Sequence, residues 1–95
     1  MELAQISING TPPREGTLDV YRDGQGLLNW LVDTSGGINE VYIWLSHTVT
    51  VEVQTDDSYR WGHAFVSIAK GCECRSGVKC LELLGDGPLH RGRVW

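Results

Sequence analysis

The chain is 95 residues long, a length typical of one domain, so we expect a single domain over residues 1–95. Hydrophobic residues make up 41% and charged residues 21%, a globular composition that argues against intrinsic disorder. The net charge of −4 bears on solubility and indicates no particular partner. Since a chain of this size buries only about 60–65% of its unfolded surface, we expect further stabilisation from close packing, cross-linking or association.

The sequence also limits the cellular locations and the kinds of partner that we expect for this protein. No apolar run reaches the ~18 residues of a membrane span, and the N-terminus lacks the basic start and apolar stretch of a signal peptide. Three cysteines, an odd number, favour reducing conditions over a secreted disulfide framework. We therefore expect a cytoplasmic protein without membrane contact. The basic residues after Tyr59 are interspersed with Glu73, Glu82 and Asp86, which argues against nucleic-acid binding.

The first predicted element is an N-terminal strand, in which apolar residues alternate over residues 4–8. A loop over residues 9–16, rich in glycine and proline, joins it to the second strand. A three-residue turn at residues 23–25 then predicts a hairpin that places Val20 opposite Leu28.

The clearest period-two pattern covers residues 41–53, where alternate positions are apolar except for His47. No glycine or proline interrupts this segment, so we predict one long, bent strand. A turn at residues 34–37 predicts that this strand pairs with the preceding one, with Trp30 opposite Val41.

The remaining turns complete the predicted sheet. A four-residue turn at residues 55–58 predicts a hairpin with Val49 opposite Ala64, and a last hairpin is predicted around residues 75–77. Independently chosen turns thus place the aliphatic residues on one face, an agreement that favours the assignment. We predict an all-β fold: an antiparallel meander of six or seven strands, forming a strongly curved sheet or a small barrel.

The second face of this sheet is the candidate functional surface, because an antiparallel sheet normally turns polar residues to water. The predicted registers place on it a set that we call the aromatic face: Tyr42, Trp44, Tyr59, Trp61, His63, Phe65 and Glu52. Three interpretations stay open. This face is a barrel interior, a contact with a second subunit, or a shallow ligand site with aromatic platforms.

Two groups of residues are candidates for chemistry. His63 and Glu52 lie diagonally across the predicted hairpin, and a carboxylate beside an imidazole makes a general base. Cys72 and Cys80 are predicted to lie opposite each other with Cys74 on the same face, which suits a zinc site or a disulfide. The C-x-C-x5-C spacing differs from zinc-knuckle spacing, so buried free thiols are the simpler interpretation.

No phosphate-binding loop, hydrolase elbow or metalloprotease motif is present in the sequence, and no cofactor is expected. We therefore predict a small binding or interaction protein, non-enzymatic, that self-associates through the aromatic face, with a dimer as the first expectation. A small-molecule or protein ligand is also compatible with that face. The alternative is a small enzyme that uses His63 with Glu52, or a metal-dependent protein with zinc at Cys72, Cys74 and Cys80.

Overall fold

A computed structural model describes residues 1–69 and 77–94 of the chain. Within these residues seven strands and one helix follow one another. They are β1 (Glu2–Ile8), β2 (Arg14–Arg22), β3 (Leu28–Gly37), α1 (Ile38–Trp44), β4 (Thr48–Gln54), β5 (Tyr59–Ile68), β6 (Val78–Gly85) and β7 (His90–Arg91).

Six of the strands close into an antiparallel barrel. Strands β1, β2 and β3 form one meander, and β4, β5 and β6 form a second. The two meanders are joined where β1 pairs with β4 and where β3 pairs with β6, while β7 adds to β5 as an extra strand. The prediction of an all-β antiparallel fold that forms a small barrel is confirmed.

The aliphatic face of the sheet is the barrel interior. Alternate residues on each strand point inward, as the two-residue period of a strand requires. The buried core consists of Ala4, Ile6, Ile8, Leu18, Trp30, Val32, Val41, Trp44, Val49, Val51, Val53, Ala64, Val66, Leu81 and Leu83. Of the aromatic face only Trp44 belongs to this core, so that face as a whole does not form the barrel interior.

The prediction of one long strand over residues 41–53 is wrong in its first half. Residues up to Trp44 belong to α1, and the strand begins only at Thr48. Val41 and Trp44 lie three residues apart, so they share one side of the helix and are both buried. Ser46 adopts a positive φ of 64° and turns the chain into β4. His47, which the predicted strand placed among the apolar alternate positions, lies in this connection and is exposed.

The turn predicted at residues 34–37 is also wrong, because β3 continues through it and pairs there with β6. Trp30 consequently lies opposite Val20 and not opposite Val41. The hairpin between β2 and β3 does exist, but its register differs by two residues from the predicted one. Since a shift of two positions leaves every side chain on the same face, the predicted inward residues of β2 and β3 were assigned correctly.

Arg14 anchors α1 against the barrel. Its guanidinium contacts both carboxylate oxygens of Glu40, at 2.7 and 3.1 Å, and lies 5.3 Å from the centre of the Trp44 ring. The hydrogen bond from Arg14 is the main cause that holds the pKa of Glu40 below its ordinary value. This paired charge fixes the helix that carries Val41 and Trp44 into the core.

Candidate functional site

The aromatic residues of β5 lie on the outside of the barrel. Tyr59, Trp61, His63 and Phe65 alternate with residues that point inward, and the predicted register with β4 is confirmed: Glu52 lies opposite Trp61. Tyr59 and Trp61 are half-buried, whereas His63 and Phe65 are exposed. This part of the aromatic face therefore exists as an outer surface.

Tyr42 and Trp44 do not belong to that surface. Both are on α1, where Tyr42 is 65% exposed and Trp44 is buried in the core. The expectation that Trp44 and Trp61 lie together on one face is therefore wrong. It failed because the alternation over residues 41–53 hid a helical spacing.

A short segment of the chain, residues 89–94, covers half of the remaining aromatic face; we call it the strap. The His90 ring lies 4.5 Å from the Trp61 ring, and the Arg93 guanidinium lies 4.5 Å from the Tyr59 ring. The backbone N–H of Gly92 donates a hydrogen bond to the Tyr59 carbonyl. The strap thus supplies part of the burial that the aromatic side chains require.

Glu52 is held by the strap and not by His63. Its carboxylate accepts a hydrogen bond from the Val94 backbone N–H at 3.2 Å and lies 3.5 Å from Arg93. His63 Nδ1 instead contacts the Thr50 hydroxyl at 3.3 Å. Within the described residues no hydrogen bond joins His63 to Glu52, so the structure does not assemble the predicted acid–base pair.

Beyond the strap, an apolar row stays exposed on the outside of the barrel. Phe65 lies opposite Leu84, and Leu84 lies opposite Leu31 on the next strand. Phe65 is 41% exposed and Leu84 is 38% exposed. Phe65 is the member of the aromatic face that belongs to this exposed row.

Of the three cysteines in the predicted site, the structure describes Cys80. Cys72 and Cys74 lie outside the described residues, whereas Cys80 is disulfide-bonded. A sulfur in a disulfide has no thiolate to offer zinc, so Cys80 is neither the free thiol nor the zinc ligand that the sequence suggested. In residues 1–69 and 77–94 no group of three or more His, Cys, Asp or Glu side chains is arranged to hold a metal.

A cavity of about 400 Å³ lies at the barrel end where β3 begins, opposite the end that carries α1. It is lined by Val20, Leu28, Asn29, Trp30, Arg60, Gly87, Pro88, Leu89 and Arg91. The lining combines apolar residues with the polar residues Asn29, Arg60 and Arg91. We call this cavity the end cavity.

Trp30 forms the floor of the end cavity and is fixed there by close backbone contacts. A Cβ at residue 62 would lie 2.8 Å from the Trp30 ring, and a Cβ at residue 85 would lie 2.6 Å from it. The indole Nε1–H donates a hydrogen bond of 3.0 Å to the Gly87 carbonyl. Gly62 and Gly85 therefore let the ring sit directly on the backbone of β5 and β6.

Sequence reasoning missed the end cavity because its walls come from distant parts of the chain. Arg60 lies on β5 and Arg91 on β7, a strand of two residues that was not predicted. The signal was the segment Gly85-Asp86-Gly87-Pro88, a composition typical of turns. It indicates that the following residues return along the sheet.

A second cavity, of about 480 Å³, lies between β1, β2 and the turn after β4. Its lining includes the carboxylates of Glu15 and Asp56, together with Gln5, Gln54 and Thr55. None of its lining residues in the described part of the chain is basic, and its apolar contribution comes from Leu3 and Ala4. Its described lining contains no aromatic side chain, whereas the end cavity contains Trp30, so we regard the end cavity as the better ligand site.

No protein-family model, curated protein or solved structure matches this chain. The helix α1 is too short to cross a membrane, and the described residues contain no other helix that could.

Proposed function

We propose that this chain is a non-enzymatic binding protein and that a small ligand occupies the end cavity. The observation that carries the proposal is the preformed floor, in which Trp30 is held by Gly62, Gly85 and the Gly87 carbonyl. Ligand sites are concave, mostly apolar and largely formed before binding. The end cavity is concave and its Trp30 floor is formed without any movement of the barrel, while its lining combines apolar side chains with the polar residues Asn29, Arg60 and Arg91.

Exposed aliphatic side chains at the mouth support the same function. Val20 is 46% exposed and Leu28 is 64% exposed, although both line the cavity. Burial of apolar surface contributes roughly 25 cal/mol per Å², so a ligand that covers these side chains gains affinity from them. The volume of about 400 Å³ lies within the usual range for small-ligand pockets.

The test uses two eight-carbon probes, sodium octanoate and 1-octanol, with the indole N–H signal of Trp30 followed by NMR. We expect at least one probe to shift this signal in a saturable way, and we expect Leu28→Asn to weaken its binding. Ile43→Asn is the matched control, because Ile43 is exposed on α1 at the other end of the barrel. A signal that neither probe moves would overturn the proposal.

Self-association through the outer face is a second candidate function, favoured by the exposed pair of Phe65 and Leu84. A second copy would cover the row that the strap leaves open. We expect light scattering to give a dimer mass that Phe65→Ser shifts toward monomer. Leu3→Ser is the control, because Leu3 is exposed on β1 and away from this row. A monomeric wild-type protein would contradict this second candidate.

The cytoplasmic location stays a prediction. The disulfide at Cys80 is more typical of oxidising compartments and therefore argues against the cytoplasm. Thiol labelling of the protein as isolated from its cells decides between the two: three reactive cysteines support the cytoplasm, and one supports an oxidising compartment.

A further inference from the structure

We propose that the ligand of the end cavity is an amphipathic anion, with its carboxylate or phosphate on Arg60 and Arg91 and its apolar part on Trp30 and Leu28. This inference rests on the proposed function, since it assumes that the end cavity holds a ligand. It adds the chemical class of that ligand.

Two positive charges are placed side by side at the cavity. Arg60 on β5 lies directly opposite Arg91 on β7. Side chains at such positions start from Cβ atoms about 4.5–5.5 Å apart, and like charges there are destabilising. The fold alone gains nothing from this pair, whereas an anion between the two groups converts a repulsion into two attractions.

Both guanidinium groups are directed to the cavity side of the sheet. Arg60 continues the inward series of Gly62 and Ala64, so it points to the barrel end. His90 packs on Trp61 on the outer side, and the next residue, Arg91, therefore faces the opposite way. Both arginines line the end cavity as a result.

The other described arginines have ion-pair or hydrogen-bond partners, whereas the Arg60 and Arg91 side chains have neither among the described residues. Arg14 contacts Glu40 and Arg93 contacts Glu52, while Arg22 donates to the Gly26 carbonyl. Neither Arg60 nor Arg91 has a carboxylate within 4.0 Å in residues 1–69 and 77–94. The positive charge of Arg60 is among the weaker causes that lower the pKa of Asp57, which is fully exposed.

The chemistry of guanidinium groups selects an oxyanion. Each group presents N–H donors in a planar fork that matches a carboxylate or a phosphate in bidentate fashion. The elements that carry the two groups are fixed by the β5–β7 pairing and by the contact of His90 with Trp61. An oxyanion therefore meets two donor side chains that extend from neighbouring positions of a fixed backbone.

The apolar part of the ligand is limited by the volume. Since one water molecule takes roughly 30 Å³ of liquid, a cavity of about 400 Å³ holds on the order of a dozen groups of that size. A chain of about eight carbons with a charged head satisfies this limit.

The experiment compares sodium octanoate, octyl phosphate and 1-octanol, which share a chain and differ in the head group. Binding is followed by the Trp30 indole signal, as a function of salt. We expect the anion with the preferred head to bind at least tenfold tighter than 1-octanol and to weaken as salt rises. Whichever of the two anions binds more tightly identifies the head group.

Two substitutions and a matched control locate the charge. Arg60→Gln and Arg91→Gln are each expected to weaken anion binding by about tenfold, which corresponds to one charge-assisted hydrogen bond. Neither is expected to change 1-octanol binding. Lys79→Gln also removes one positive charge, but at the far end of β6 beside Gly36, and is expected to leave anion binding unchanged.

The melting temperature of each variant shows whether a loss of anion binding comes from a change in the fold. Because Arg60 and Arg91 repel each other without a ligand, Arg91→Gln is expected to melt at the same temperature as the wild type or higher. Equal binding of 1-octanol and the anions, insensitive to both arginines, overturns the anion inference and leaves the proposed function intact. Absence of binding by all three probes overturns both.

Discussion

The indole of Trp30 rests on Gly85 so closely that a Cβ at residue 85 would lie 2.6 Å from its Nε1. Gly85→Ala therefore forces the ring away from β6 and from its hydrogen bond to Gly87. We expect the free energy of unfolding to fall by about 1–3 kcal/mol, the usual cost of overpacking. Chemical denaturation measures this. Gly24→Ala is the matched control, because a Cβ at residue 24 meets no atom within 4 Å. Equal losses of unfolding free energy at both positions would show that the loss in Gly85→Ala does not come from the contact with Trp30.

The ion pair of Arg14 and Glu40 predicts an acid-dependent loss of stability. Because the hydrogen bond from Arg14 lowers the folded-state pKa of Glu40 below 4.5, the stabilisation is present above that value and is lost as the pH falls through the folded pKa. Glu40→Gln is expected to lower the free energy of unfolding at pH 7 by about 1 kcal/mol, a modest figure because the carboxylate is partly exposed.

Denaturation of both proteins between pH 7 and pH 2 checks this prediction. The difference between wild type and Glu40→Gln should shrink as the pH falls below the ordinary glutamate range. Asp57, whose pKa is lowered mainly by the Thr55 hydroxyl, gives the same sign of dependence in both proteins and cancels in the difference. Glu2→Gln serves as a control, since Glu2 is exposed and has no ion pair in the described part of the chain. A difference that stays constant with pH would contradict the role of Glu40.

Trp44 is a core residue, so its removal should act on stability and not on association. Trp44→Ala is expected to cost about 3–5 kcal/mol of unfolding free energy. Tyr42→Ala, two residues earlier and exposed on the same helix, should change it by less than about 0.5 kcal/mol. Denaturation and light scattering on both variants check this. A folded Trp44→Ala protein with an altered mass would restore Trp44 to a contact surface.

Arg93 is expected to hold the strap against β4 and β5. Arg93→Gln removes the charge that faces Glu52 and the cation over Tyr59, so the hydrogen bond from Gly92 N–H to the Tyr59 carbonyl should open more often. Hydrogen exchange at Gly92 measures that opening. Arg22→Gln, in the β2–β3 turn, leaves the strap untouched and should not change the exchange rate. Unchanged protection in Arg93→Gln would show that Arg93 is dispensable.

The enzymatic alternative at His63 and Glu52 stays a hypothesis with a direct test. If His63 is a general base, His63→Ala should abolish turnover in a substrate screen while the melting temperature stays nearly the same. Such catalysis also requires Glu52 to leave Arg93 for His63, so Arg93→Gln should raise the activity. A wild-type protein without turnover toward any substrate class leaves binding as the remaining function.

Local turn chemistry explains which hairpins were predictable. The register of β4 and β5 followed from residues 55–58 because the Thr55 hydroxyl bonds to Asp57 and Ser58 and keeps the turn short. The β2–β3 turn is longer than predicted because the Asp23 carboxylate accepts from the backbone N–H groups of Gln25 and Leu27. Side-chain bonds of this kind are visible only once the backbone is folded.

The wrong predictions have a different cause, which is that tertiary contacts override the local sequence pattern. Residues 41–44 belong to the strand-like alternation of residues 41–53, yet Val41 and Trp44 also have a helical spacing, and only the burial of both in the core selects the helix. The pairings that close the barrel connect strands that are not neighbours in the chain. The end cavity depends on the pairing of β3 with β6 and on the pairing of β5 with β7. Hairpins between neighbouring strands therefore did not predict that its two arginines lie together.

The closed order of the strands also bears on how fast the chain folds. Each meander is assembled from neighbouring strands, but β1 must find β4, and β3 must find β6, across long stretches of chain. Proteins dominated by such non-local pairings fold in milliseconds to seconds, as a rule. Until closure, β1, β3, β4 and β6 each carry an unpaired edge that another chain can join. The slow step of folding is therefore also the step at which this protein is most vulnerable to aggregation.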